Sequence, residues 1–218
     1  MYAAISTGNS KMGSVPSISL PPIKTCAPGL PCFKHCYAKQ NYLQFPRTKL
    51  AYDRNLRHYL ADPARYFGSV AWYIRRKKLG MFRFNVSGDL PDRAYLDGVI
   101  QVAKALPDCK FLIFTKKYEL VKGVRMPKNL TLVLSAWPAM KLPRTTRPIA
   151  FMDHNGNEPR AKGAIQCKGG CATCGLCWHL RMSKRNVVFP LHSGALASAK
   201  ARRQRKLQKL AQEKANAV

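Results

Sequence analysis

Two cysteine groups constrain this chain more than any other feature. The segment CAPGLPCFKHC places Cys26, Cys32 and Cys36 within eleven residues, and QCKGGCATCGLCW places Cys167, Cys171, Cys174 and Cys177 within another eleven. Disulfides belong to oxidising compartments. The N-terminal MYAAISTGNSKMG has no basic stretch followed by an apolar run, so no signal peptide is expected, and no window approaches the ~18 apolar residues of a membrane span. A cytoplasmic protein is therefore expected, and in a reducing compartment such dense thiols read as metal ligands or catalytic thiols before disulfides.

The first group follows a predicted strand over 15–20 and a Pro21-Pro22 stop, which places it on a loop at a strand's C-terminal end. Pro28, Gly29 and Pro31 bend that loop so that its thiolates can converge. Three thiolates fit three irons of a cubane and leave the fourth iron open, whereas tetrahedral zinc would need His35 or a distant residue as well. His35 adjoins Cys36, an awkward chelate, and is expected to pack on the loop or face water. In the second group the cysteines are separated by three, two and two residues, giving overlapping CxxCxxC triplets of the ferredoxin kind. Zinc sites more often use two well-separated CxxC knuckles. A cluster is expected there, with zinc as the alternative. Gly169, Gly170 and Gly175 would let backbone N–H groups approach the sulfides. Cys109, in ALPDCKFLIF, is expected as a buried core thiol.

Short apolar runs over 15–20, 81–87, 110–115, 130–136, 149–153 and 186–189 alternate with helical patterns over 47–60, 63–79, 91–106 and 117–121. This alternation predicts an α/β fold with parallel strands and crossover helices. Three parts are expected: an α/β barrel-like domain over 1–160 that carries the first cysteine loop, a cysteine-rich segment over 161–192 packed on it, and a basic tail over 193–218. In parallel α/β folds ligands bind at the strand C-termini. Cys26 to Cys36, Ser87 to Asp89, Thr115, Lys116, Lys117 and Ser135 to Trp137 all fall there. Trp137 is expected as core or lid packing, with stacking on a base as the alternative. Asp153 and His154 read as a loop start or as a proton-transfer pair.

Lys and Arg outnumber Asp and Glu 38 to 10, for a formal charge of +28 over 218 residues. That excess predicts contact with a polyanion, nucleic acid first, through counterion release. So few acids argue against a two-carboxylate hydrolase or a multi-carboxylate metal site. There is no GxxxxGK loop, no HExxH and no GxSxG elbow. No residue is singled out as catalytic.

The cysteine loop ending in CYA, the strand reading FRFNVSGDL and the later strands ending in FLIFTKK and LTLVLSAW resemble the radical S-adenosylmethionine (SAM) superfamily. With GNSKMG and the final cysteine group ending in CW, residues 5–190 are similar to the small phage-borne gene product 88 family. The resemblance implies a partial parallel (β/α) barrel of the radical SAM type, with a 4Fe-4S cluster on Cys26, Cys32 and Cys36 and SAM on its open iron. It implies Tyr37 beside the cluster, and Ser87, Gly88 and Asp89 in the SAM-binding turn, with Asp89 replacing the usual Glu as acceptor for the SAM ammonium. The strand-end residues Thr115, Lys116 and Ser135 are grouped with them as cofactor-binding candidates, and Asn9 and Lys11 are candidates from GNSKMG. The loop spacing of five and three departs from the superfamily's three and two. The function implied is reductive SAM cleavage on or near nucleic acid, by a monomer fed by an external electron donor, with the second cluster structural or an electron relay. The alternatives are a non-catalytic nucleic-acid-binding protein with structural iron–sulfur or zinc centres, and a redox carrier.

Overall fold

The computed structural model describes residues 2–9, 11–153 and 158–190, and its elements hang on one eight-stranded, mostly parallel sheet. In chain order these are β1 (Ile5–Ser6), β2 (Ser17–Ile18), the helical turn α1 (Pro22–Thr25), α2 (Tyr37–Gln44), α3 (Pro46–Ala61), α4 (Pro63–Arg76) and β3 (Met81–Phe84). Then come α5 (Arg93–Ala105), β4 (Lys110–Thr115), β5 (Leu130–Ala136), β6 (Ile149–Asp153), β7 (Ile165–Gln166), the turns α6 (Cys171–Cys174) and α7 (Leu180–Ser183), and β8 (Val187–Pro190). The sheet runs β1-β2-β3-β4-β5-β6-β8-β7, with β1 antiparallel to β2 and every other pair parallel. From β2 to β6 each crossover steps to the next position, so the strands stay in sequence order and their C-terminal ends share one rim. The sheet does not close; β1 and β7 are its edges.

Local chemistry sets the helix starts. Asp62 accepts from the Arg65 amide at 2.9 Å and Pro63 fills the first turn of α4; Asp92 accepts from the Tyr95 amide at 2.8 Å to start α5. Strands β4 and β5 are near-continuous apolar runs, as strands covered on both faces must be. Their alternation divides the core. Phe111, Ile113, Leu130, Leu132 and Leu134 pack with the helices, against Tyr66, Phe67 and Tyr95. Leu112 and Val133 point the other way, into a layer of Met12, Val15, Trp178 and Leu180.

That second layer is the cysteine-rich segment. Trp178, 5% exposed, donates from Nε1 to the Phe82 carbonyl at 3.2 Å, and Thr131 Oγ1 donates to the Trp178 carbonyl at 2.8 Å. The segment does more than pack on the barrel-like part, because it supplies β7 and β8 and β8 pairs directly with β6.

Three expectations change. The run over 81–87 leaves the sheet after Phe84 because Asn85 turns into the left-handed region at φ 51°. The run over 15–20 shortens to two residues, and the helical pattern over 117–121 is a single 3-10 turn, Tyr118–Val121. The tail over 193–218 and His154 lie outside the described residues. Among the described residues no helix is long and apolar enough to cross a membrane.

Gly98 of α5 rests on the Phe67 ring of α4, and a Cβ at that position would collide with it. Phe67 is wedged by Tyr59, Tyr66 and Tyr95 and cannot swing clear. Gly98→Ala is expected to lower unfolding stability by about 1–3 kcal/mol. Gly68→Ala, in α4 with nothing within 4 Å of the new methyl, is expected to raise it by about 0.5–1 kcal/mol. Urea midpoints at unchanged m-value read both.

Candidate functional site

The first cysteine group hangs beyond the C-terminal end of β2. Turn α1 carries the chain to Cys26, the 3-10 turn Pro31–His35 follows, and Cys36 caps α2, its Sγ accepting from the Lys39 amide at 3.4 Å. All three thiols are half-buried and lie near one another. Burial foremost, then Asp89, pushes Cys26 up to about 12; Cys36 and Cys32 add to this, and Lys116 opposes it. Cys32 is raised in the same way, by burial, with Lys116 opposing and Cys36 reinforcing. As free thiols they are poor nucleophiles.

The rim beneath the loop is a clamp centred on Asp89, which is 4% exposed. Its carboxylate accepts from Thr115 Oγ1 at 2.6 Å, the Leu90 amide at 2.7 Å and the Lys116 amide at 2.9 Å. Burial raises its pKa, and the Thr115 and Lys116 hydrogen bonds hold it down. The Asp89 amide donates to Thr25 Oγ1 at 3.1 Å, which ties β3 and β4 to the start of the cysteine loop. Gly88 is required there: its φ is 78°, and a Cβ would stand 2.6 Å from the Leu20 carbonyl oxygen and 2.7 Å from Thr25 Oγ1. The Ser87 amide donates to Ser19 Oγ at 3.2 Å, and Ser87 Oγ is buried without a partner. Tyr37 donates to the Val86 carbonyl at 3.3 Å, and Tyr118 donates to the Ser135 carbonyl. Lys117 Nζ donates to the Pro91 carbonyl at 3.2 Å. His35 stacks on the buried Trp137, ring centroids 5.8 Å apart and planes within 13°. The rim thus gathers Cys26, Cys32, Cys36, Tyr37, Ser87, Gly88, Asp89, Thr115, Lys116 and Ser135 at one end of the sheet.

The second group surrounds a cavity of about 360 Å³, lined by Cys167, Cys171, Cys174 and Cys177 together with Lys11 and Arg83. The early GNSKMG segment docks on it. The Lys11 carbonyl accepts from the Cys171 amide at 3.0 Å, Asn9 Oδ1 accepts from the Lys11 and Met12 amides, and Gly13 leaves room for the Ala172 methyl. Burial lowers the Lys11 pKa, against the raising effect of Cys167. Burial pushes Cys177 up to about 12, and Arg83 opposes. Arg83 is the residue that sequence reasoning missed. Its guanidinium lies 4.7 Å over the Phe114 ring with Nε buried and unpartnered, and its charge reaches Cys171 and Cys177 on one side and Tyr37 on the other. The signal was an arginine at an inward position of the apolar strand MFRF.

Among the described residues no three His, Cys, Asp or Glu side chains converge closely enough to hold a single metal ion. The four thiols of the second group line one cavity of about 360 Å³, which leaves room for a multi-atom group among them. Asp153 has a buried, unpartnered Oδ1, and its sequence neighbour His154 is not described. Cys109 is a core thiol, 2% exposed, as expected.

Residues 3–180 match the family described as Gene product 88. The chain belongs to the gene product 88 family. This is a phage-protein family, and the matched span takes in both cysteine groups and the Asp89 rim. No curated protein and no solved structure matches the chain.

In this gene product 88 protein, Asp89→Ala would strand three donors at the rim. Its expected cost is about 3 kcal/mol or more of unfolding free energy, because each buried donor left unpaired costs roughly 1–3 kcal/mol. Thr115→Val removes one of those bonds together with its donor, and with it the acceptor of the Lys117 amide, and is expected to cost about 1–2 kcal/mol. Urea unfolding of the full chain reads both, and equal effects from the two substitutions would contradict the clamp.

Proposed function

We propose that this protein is an iron–sulfur protein acting on or near nucleic acid in the cytoplasm of the infected cell, with a 4Fe-4S site on Cys26, Cys32 and Cys36 and a second cluster on Cys167, Cys171, Cys174 and Cys177. The observation that carries the reading is the cavity of about 360 Å³ lined by four thiols and three cations, Lys11, Arg83 and Lys168, and, among the described residues, by no acid. Thiolates and sulfides are anionic, and cations around them offset that charge and tune the reduction potential. At the other site, support comes from three half-buried thiols on one bent loop at the rim where parallel α/β folds bind ligands.

The chemistry such a cluster supplies when bound is transfer of one electron, drawn from an external donor, to the SAM sulfonium, which splits a carbon–sulfur bond into methionine and a 5′-deoxyadenosyl radical. The chain's own residues hold the loop for it. Gly88 allows the loop's base to approach β3, Asp89 fixes β3 against β4, Tyr37 ties α2 to the Val86 carbonyl, and Lys116 places a positive charge beside Cys26 and Cys32. Ser87, Thr115 and Ser135 complete the polar rim.

One observation favours a second reading, a non-catalytic nucleic-acid-binding protein whose centres are structural, with zinc as the alternative at the second group. Asp89, the candidate acceptor for the SAM ammonium, already accepts from three protein donors. Anaerobic reconstitution separates the readings. Full-length protein is expected to carry about eight irons and as many sulfides, falling to about four in the Cys26→Ala/Cys32→Ala/Cys36→Ala variant. With SAM and a reductant it is expected to yield 5′-deoxyadenosine, and the variant none. Cubanes without 5′-deoxyadenosine would establish the second reading, and iron unchanged in the variant would overturn the assignment of the loop.

A further inference from the structure

Strand β5 lacks the crossover helices that flank its neighbours. It is reached from β4 through the 3-10 turn Tyr118–Val121, and it leaves through residues 137–148, which contain no helix. Leu132 and Leu134, buried on the helix-packing face of β5, are covered there by short turns and loops, and each lines a cavity. A cavity of about 1510 Å³ begins there, lined by Arg125, Arg144, Arg147, Arg181 and Lys184 over an apolar floor of Val124, Met126, Leu132 and Pro148. A smaller one of about 460 Å³ shares Arg144, Thr145 and Arg147 with it and extends to Tyr118. The two form a continuous trough.

Its charge is one-sided. Among the described residues no acid lines the larger cavity; Glu119 lines the smaller. Ion pairs among the described residues form at Asp53, Asp97 and Glu158, and none includes the five cations. Two of the five are fixed in place: Arg147 donates to the carbonyls of Val121 and Val124, and Arg181 donates to those of Met126 at 3.0 Å and Pro127 at 2.8 Å. Burial, and then the charge of Arg181, lowers the Arg147 pKa, so these two guanidiniums are held near each other with no carboxylate between them. Holding like charges together is unfavourable unless an anion lies among them. The planar fork of arginine matches phosphate oxygens.

We propose that this trough binds the phosphodiester backbone of a nucleic acid. The proposal rests on the nucleic-acid part of the function proposed above and supplies its surface, which is separate from both cysteine groups. A phosphodiester chain fits better than an isolated phosphate because five cations line one cavity of about 1510 Å³, far more room than one phosphate fills. The apolar floor suits sugars and bases. Tyr118, at the far end, donates to the Ser135 carbonyl at the C-terminal end of β5.

The test uses the full chain and a labelled single-stranded oligonucleotide, as DNA and as RNA, in fluorescence anisotropy across a salt series, with inorganic phosphate as competitor. The variant is Arg125→Ala/Arg144→Ala/Lys184→Ala, which spares the two arginines that brace the loops. A control, Arg57→Ala/Lys77→Ala/Lys104→Ala, removes as much charge from exposed positions elsewhere. The trough variant is expected to bind at least about tenfold more weakly than the control and to lose about two units of salt slope, at ~0.7 per phosphate contact. Equal affinity and slope in the two variants would overturn the trough while leaving nucleic-acid binding intact. Full competition by phosphate at low millimolar concentration would reassign the trough to a small anion and overturn the proposal. No binding by the parent would remove both the trough and the nucleic-acid part of the function, and the iron content of the same samples would report separately on the clusters.

Discussion

Both faces of β4 and β5 are apolar, and an open parallel sheet has to keep both out of water. Helices α3, α4 and α5 cover one face with an aromatic cluster of Tyr59, Tyr66, Phe67 and Tyr95. The other face is covered by the cysteine-rich segment, through Trp178 and Leu180 against Leu112 and Val133. Burying a side chain the size of Trp178 is worth roughly 2–3 kcal/mol, and its two backbone hydrogen bonds fix the orientation. Everything about the second cysteine group follows from this. The segment that closes the core also carries four thiols, so those thiols end up beside the inner face of the sheet and not at a peripheral knuckle.

Two inward-facing cations make sense in that setting. Arg83 and Lys11 lie over the rings of Phe114 and Phe189. In the proposed reading they face the net negative charge of thiolates and sulfides. The charge of Arg83 also acts on Tyr37, the residue after Cys36. At the rim, the Asp89 hydrogen bonds turn three separate strand ends into one platform, so that a flexible Pro/Gly loop starts from a fixed point. The same lack of full crossover helices that opens the trough beside β5 leaves the rim near Trp137 to loops and short turns.

Much of this was legible in the chain. Strands β4, β5 and β6 fall where their apolar runs are, because fully buried parallel strands write an unbroken signal. Pro46 and Asp62-Pro63 mark helix boundaries for the same local reasons that operate in any helix. The rest was hidden in long-range contacts. Strands β1 and β7 have two residues each and carry no periodicity. The docking of Lys11 on Cys171 spans 160 positions of sequence and leaves no local trace beyond two glycines and an asparagine. Arg83 was legible only as a charge inside an apolar strand, and its partners came from three other elements. Asp89 was found for its position after a strand, but its three donors could not be read from spacing.

The central claim is that seven of the eight cysteines gather iron and sulfide, three at the rim of the sheet and four beside its second buried layer. X-ray absorption at the iron and zinc edges of anaerobically purified full-length protein addresses it most directly. The account predicts iron bound by sulfur with iron neighbours in its second coordination shell, and little zinc. A spectrum of isolated zinc surrounded by four sulfurs, with no iron above background, would contradict it.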